Sequence, residues 1–166
     1  MQAMPAVPAT SLYEVVLAIH IMAVVAAFGV TFAYPIMFAV GARRDPRSLP
    51  ILHRIEYTIE RLLVNPSLGL LLLAGIYLAS KGHYWSQFFV QWGLAAAIVI
   101  GALVGSVMIP TAKRAEQVAA RDLASSTGAD VELSAEYRGL VRRLSTVGTL
   151  MSVLVLVTIL FMAIKP

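Results

Sequence analysis

The chain has no cysteine, and that absence closes several routes at once. Disulfides, thiolate metal sites, thiol catalysis and covalent c-type haem attachment are all excluded. Charge is scarce as well: 13 % of the 166 residues are Asp, Glu, Lys or Arg, against about 25 % in an ordinary soluble domain. No Lys or Arg precedes Arg43, so the first apolar run lacks the basic leader of a cleavable signal and is expected to stay in place. Missing too are a glycine-rich phosphate loop, a zinc-hydrolase helix motif, a serine nucleophile elbow and an acidic metal cluster. Common hydrolytic and phosphoryl-transfer enzymes are therefore not expected.

What the chain has instead is hydrocarbon: 59 % of its residues are hydrophobic. About 20 mostly apolar residues cross a hydrocarbon core about 30 Å thick, since each helical residue rises about 1.5 Å. Four runs meet that length, at about residues 12–40, 62–80, 88–109 and 144–164. The expected fold class is all-α, a polytopic four-transmembrane-helix bundle with a helical cytoplasmic extension. Nothing marks a second core or a linker, so residues 1–166 read as a single domain.

Basic residues orient the bundle. Arg43, Arg44, Arg47, Arg54 and Arg61 lie between the first two spans, and Lys113, Arg114, Arg121, Arg138, Arg142 and Arg143 between the last two. Only Lys81 and Lys165 remain for the other side. The positive-inside rule then places both basic loops in the cytoplasm, with both termini and the 81–87 loop outside. The net charge of +4 is in this setting an orientation signal, and no nucleic-acid partner is expected. Tyr84, Trp85 and Trp92 suit an aromatic belt at the outer boundary.

In the first basic loop, Ile51, Leu52, Ile55, Ile59, Leu62 and Leu63 recur at helical spacing while His53, Arg54, Glu56, Glu60 and Arg61 take the other positions. This pattern predicts an amphipathic helix leading into the second span, its charges forming a solvated collar at the headgroups. In the second loop, Lys113 to Ala124 continues the third helix, and Ser125 to Asp130 is a turn-rich break. Ser134 caps a last helix, with Glu136 suited to its positive end.

Ionisable residues inside a span are costly and are candidates for function. His20 is the strongest, about 12 Å along the helix from Leu12 at about 1.5 Å per residue. Its imidazole needs a partner, which a metal, a haem iron, a hydroxyl or a backbone carbonyl would each satisfy. Glu14 reads as an interfacial carboxylate. His53 lies on the cytoplasmic side, too far to share a ligand with His20. His83 lies on the same side as His20, and Lys81, Met22 and Met108 are looser candidates. Asn65-Pro66 is expected to kink the second span. Ala97, Gly101 and Gly105 form a stripe of small residues expected to pack within the bundle, or else between two copies.

Four features in order resemble a known family. Leu17-Ala18-Ile19-His20-Ile21-Met22 is followed by Phe28-Gly29, Asn65-Pro66-Ser67 by Ala74-Gly75-Ile76-Tyr77-Leu78, the third span opens with Gln91-Trp92, and the chain closes on Phe161-Met162-Ala163-Ile164-Lys165-Pro166. The whole chain is similar to the bacterial integral membrane proteins grouped as domain of unknown function 2269 (DUF2269). That family is distantly similar to the copper-resistance D membrane proteins and the HemJ-type membrane protoporphyrinogen oxidases. The resemblance implies a bacterial inner-membrane location and a haem b or copper connection, with His20 as the first-span histidine and axial ligand. The oxidase's third-span lysine has no counterpart, since no lysine lies between Phe88 and Pro110.

The resulting expectation is an accessory membrane protein in the lipid bilayer, without catalysis of its own, packing with itself or another membrane component. The alternative is a haem-b-binding electron-transfer or oxidase-like protein using His20, and a weaker one is a copper-related protein. A transporter fits less well, because one intramembrane histidine supplies neither a charged relay nor a substrate cage.

Overall fold

The computed structural model describes residues 11–126 and 131–166. Of the turn expected over Ser125 to Asp130, residues 127–130 lie outside the described residues. Four long helices make up the described chain: α1 (Leu12–Arg44), α2 (Pro46–Lys81), α3 (Phe88–Ser125) and α4 (Ala135–Ile164). All four are long and apolar enough to cross a membrane, and the fold is an all-α membrane bundle. Neighbours in sequence pack side by side: the first half of α1 lies along the second half of α2, the first half of α2 along the second half of α3, and α4 along both halves of α3.

The helices exceed the four apolar runs because their polar ends are helical too. At 36 residues for α2 and 38 for α3, lengths are about 54 and 57 Å at about 1.5 Å per residue, well beyond the ~30 Å hydrocarbon core. The surplus lies at the end of the bundle that carries the two basic loops, called here the basic end. The opposite end carries residues 82–87 and the first turn of α1. There Ser11 caps α1: its hydroxyl accepts from the Glu14 amide while the Glu14 carboxylate accepts from the Ser11 amide. Glu14 is thus a capping residue of α1.

Proline departs from regular helix in each of the first three spans. A 3₁₀ turn (Val30–Ala33) precedes Tyr34-Pro35. Wider π turns, Glu60–Val64 and Val104–Met108, precede Asn65-Pro66 and Ile109-Pro110. Proline offers no N–H to the preceding turn and its ring crowds the carbonyl four residues back, and a π turn takes up that mismatch without ending the helix. Asn65-Pro66 therefore acts through the π turn just ahead of it.

Two apolar clusters hold the bundle. One, at mid-depth, joins Ala27, Val64, Leu68, Ile100, Val104 and Val155 from all four helices. The other, at the basic end, joins Leu49, Met108, Ala112, Ala115, Val118, Ala119, Tyr137 and Leu144. Alanines at 112, 115 and 119 let α2 and α4 approach α3 closely. The expected small-residue stripe is only partly internal: Ala97 is buried, but a Cβ added at Gly101 or Gly105 would meet no neighbour within 4 Å. Ile100 and Val104 take the inner positions instead, and Gly105 faces outward.

Candidate functional site

His20 is held across the α1–α2 contact. Its Nδ1 lies 3.1 Å from the Leu71 carbonyl oxygen. A carbonyl only accepts, so Nδ1 donates the hydrogen and the lone pair resides on Nε2. Four residues beyond Leu71, Gly75 leaves room for the ring: a Cβ there would stand 3.3 Å from His20 Cε1. The ring borders a cavity of about 470 Å³ between the four helices. Its wall is almost entirely apolar, with Val24, Leu72, Phe89, Ala97, Val155 and Ile159 among its residues, while Tyr13, Tyr84, Trp85 and Lys165 stand at the end away from the basic loops. Below Trp85, the Trp92 indole N–H donates to the Thr158 hydroxyl at 3.1 Å, and its ring meets Phe161 edge-on. These contacts fix the α3–α4 side of the cavity.

The other candidates from the sequence do not join His20. His83 is exposed in the 82–87 loop with a left-handed backbone and does not line the cavity. Lys81 and Met22 are exposed, and Met108 belongs to the basic-end core. Among the described residues, no three His, Cys, Asp or Glu side chains are grouped to hold a metal ion. A haem needs less from the protein, since one axial imidazole with its second nitrogen tied to a carbonyl is sufficient ligation.

A second cluster corrects the expected solvated collar at three of its positions. His53, Glu56 and Glu60 are 1, 3 and 3 % exposed, whereas Ile51, Ile55 and Leu62 are 50, 39 and 69 % exposed. The lead-in helix turns His53, Glu56 and Glu60 inward and Ile51, Ile55 and Leu62 outward, while Leu52 and Ile59 pack half-buried against the two cores. Leu49, His53, Glu56, Glu60 and Val64 recur at intervals of three and four and share the inner face. Arg54 remains outside, paired with Glu116 at 2.7 Å.

Inside, the stripe forms a chain of hydrogen bonds. His53 Nδ1 is 3.0 Å from Glu56 Oε2 and Nε2 is 3.0 Å from the Tyr137 hydroxyl of α4. A neutral ring donates from Nδ1 to the carboxylate and accepts from the phenol. Phe38 of α1 stacks on the same ring at 4.5 Å, and the Tyr34 hydroxyl stands 3.5 Å from the Glu56 carbonyl oxygen. Glu60 has no such partner: its Oε2 is buried without a hydrogen bond. The i, i+3, i+7 spacing was the visible signal for this site, because it places all three ionisable residues on one side of a helix.

At the far tip of the basic end, charges join α3 to the start of α4. Glu136 accepts from Arg114 at 2.7 Å and from Arg121 at 3.1 Å. Asp122 accepts from the Ser134 amide at 2.8 Å and from Arg121 at 3.1 Å. Hydrogen bonds from Ser134, and then from Arg121, hold the Asp122 carboxyl below its ordinary value. Ser134 also caps α4, its hydroxyl accepting from the Tyr137 amide at 3.2 Å.

The model of the family described as predicted integral membrane protein (DUF2269) matches residues 14–166. The chain belongs to that family. The match takes in the four helices from residue 14 onward, with His20 and the buried stripe of α2. No curated protein and no solved structure matches the chain.

Proposed function

We propose that this integral membrane protein holds a flat, largely apolar cofactor, haem b, in the cavity beside His20, with Nε2 as the axial ligand. The observation that supports this reading is the His20 ring, anchored through Nδ1 on the Leu71 carbonyl and bordering an apolar cavity of about 470 Å³. Ligand sites in general occupy about 300–1,000 Å³ and combine apolar walls with a few directed polar groups. When bound, haem supplies one-electron chemistry. The chain's own part is to fix the imidazole tautomer, exclude water with the apolar wall, and offer Lys165, Tyr13 and Tyr84 toward acidic or hydroxyl groups at the cavity's end.

The decisive experiment is the reduced-minus-oxidised visible spectrum of protein purified in detergent from haem-replete cells, with His20→Ala alongside. A Soret band lost in the variant supports the reading. A colourless wild-type preparation that stays colourless through haem titration rejects it.

A second reading, an accessory protein that packs with itself or another membrane component, is favoured by a different observation. Only 11 % of the most apolar stretch of α1 and 6 % of that of α4 is buried, against 28 and 33 % for α2 and α3. Two helices thus offer most of their apolar surface to lipid or to a partner. Cross-linking in native membranes distinguishes these: a discrete adduct favours the partner, and monomer alone favours lipid. For location, the reading is a bacterial inner membrane with the basic end in the cytoplasm and both termini outside, following the arginine distribution. Labelling of an engineered Ser126→Cys from the outside overturns that orientation, and labelling only after permeabilisation supports it.

A further inference from the structure

The stripe of α2 at the basic end contains two acidic side chains and one obvious donor. His53 Nδ1 serves Glu56 Oε2 at 3.0 Å, and the imidazole's other nitrogen is engaged with Tyr137 at 3.0 Å. Nothing serves Glu60 Oε2, on a side chain that is 3 % exposed. A carboxylate taken out of water without a donor or a counter-charge costs several kcal/mol, and neutralisation by a proton removes most of that cost. A second acidic group about one turn away, facing the same interior, adds like-charge repulsion whenever both are ionised.

We propose that Glu60 is a proton-binding site: it takes up one proton from the solution at the basic end, forming an O–H bond and passing from a single negative charge to neutral, and returns that proton by the same route. The pair Glu56–Glu60 then carries one negative charge, held by His53. Groups facing the pair come from each neighbouring helix. Tyr34 of α1 stands by the Glu56 backbone and also faces the Glu60 carboxyl, and Tyr137 of α4 reaches Glu56 through His53. The charges of α3 meet other positions of α2: Lys113 lies 5.5 Å over the Tyr57 ring and Glu116 binds Arg54. No cation from α3 is thereby placed on Glu60. The site sits where α2 enters the apolar run, at the first residue of the π turn Glu60–Val64. Ionisable groups at such a depth mark proton pathways in membrane proteins. The proposal does not depend on what the His20 cavity holds.

The test is infrared spectroscopy of the full chain in lipid nanodiscs, followed through a pH titration. At neutral pH the wild type is expected to show the carbonyl stretch of one protonated carboxyl per chain, and Glu60→Gln to lack it. No such band in the wild type, or a band that persists in Glu60→Gln, overturns the proposal. Should Glu60→Gln fail to fold, Glu60→Asp retains a carboxyl at a new position: a band shifted in frequency supports the proposal, and an unshifted one overturns it. In Glu56→Gln, the pH at which the band is half lost is expected to fall, and an unmoved midpoint overturns the pairing of the two carboxyls.

Discussion

The two ends of the bundle are stabilised in opposite ways. Around His20, α1 lies closely along α2, yet the four helices together leave a cavity of about 470 Å³ with apolar walls and few directed polar contacts. At the basic end they close on alanine and then connect through a buried chain, Tyr137 to His53 to Glu56. In lipid, apolar side chains gain little by turning inward, so association relies on close packing and hydrogen bonds between helices. The basic end has both. The cavity end has the close packing of α1 on α2 but few hydrogen bonds between helices, and the space it leaves lies between that pair and the other two helices.

The comparison is broken most directly by removing the centre of the polar chain. His53→Leu leaves the Glu56 carboxylate and the Tyr137 hydroxyl buried without their partner, at a cost of about 3 kcal/mol. Equilibrium unfolding in mixed detergent micelles should show that loss. A variant as stable as the wild type would mean that packing on α3 alone secures this end.

At the other end, Gly75→Leu drives a side chain into the His20 ring, whose Cε1 already stands 3.3 Å from a Cβ at that position. Overpacking of this kind costs about 2 kcal/mol, and the ring must leave the Leu71 carbonyl. Haem titration of the variant is expected to show at least tenfold weaker binding than the wild type. Trp92→Phe is milder. It removes the indole bond to Thr158 and retains the contact with Phe161, for a loss of about 1 kcal/mol in the same unfolding assay.

The sequence was most legible where hydrocarbon length decides structure. The four spans follow from run length alone, and the polar extension over Lys113 to Ala124 follows from helical continuity. The facing of the lead-in helix did not follow. In water, Ile51, Ile55 and Leu62 would mark the buried side. In the bundle these three are exposed instead, and the ionisable residues 53, 56 and 60 take the interior, where Tyr137 of α4 meets His53 and His53 in turn meets Glu56. Periodicity gives the stripe, and the solvent decides which way it points. His20 was legible as a costly intramembrane residue. Its Leu71 partner was not, because 51 residues separate the two and only the α1–α2 packing joins them. Gly75, quoted for its motif alone, proves to be where α2 makes room for the ring.

The smallest expected effect concerns Asp122 at the tip of the basic end, and it is a matter of pH rather than of overall stability. Asp122 is held below its ordinary carboxyl value by hydrogen bonds from Ser134 and then Arg121. For a carboxyl lowered in the folded state, the stabilising contribution is fully present above the ordinary carboxylate range and is lost as pH falls through the lowered value. Acid should therefore loosen the Ser134 cap and the first turn of α4 while the buried stripe of α2 stays protected. Hydrogen exchange at the Ser134 and Tyr137 amides measures this directly: both should exchange faster in acid relative to their intrinsic rates. In Asp122→Asn, exchange at these two amides should already be fast at neutral pH and should change little with acid. The Glu136 bridges to Arg114 and Arg121 lie in solvent and add little at ordinary salt. Glu136→Gln should thus leave the acid-induced change in place, whereas its disappearance in that variant would move the responsible carboxylate from Asp122 to Glu136.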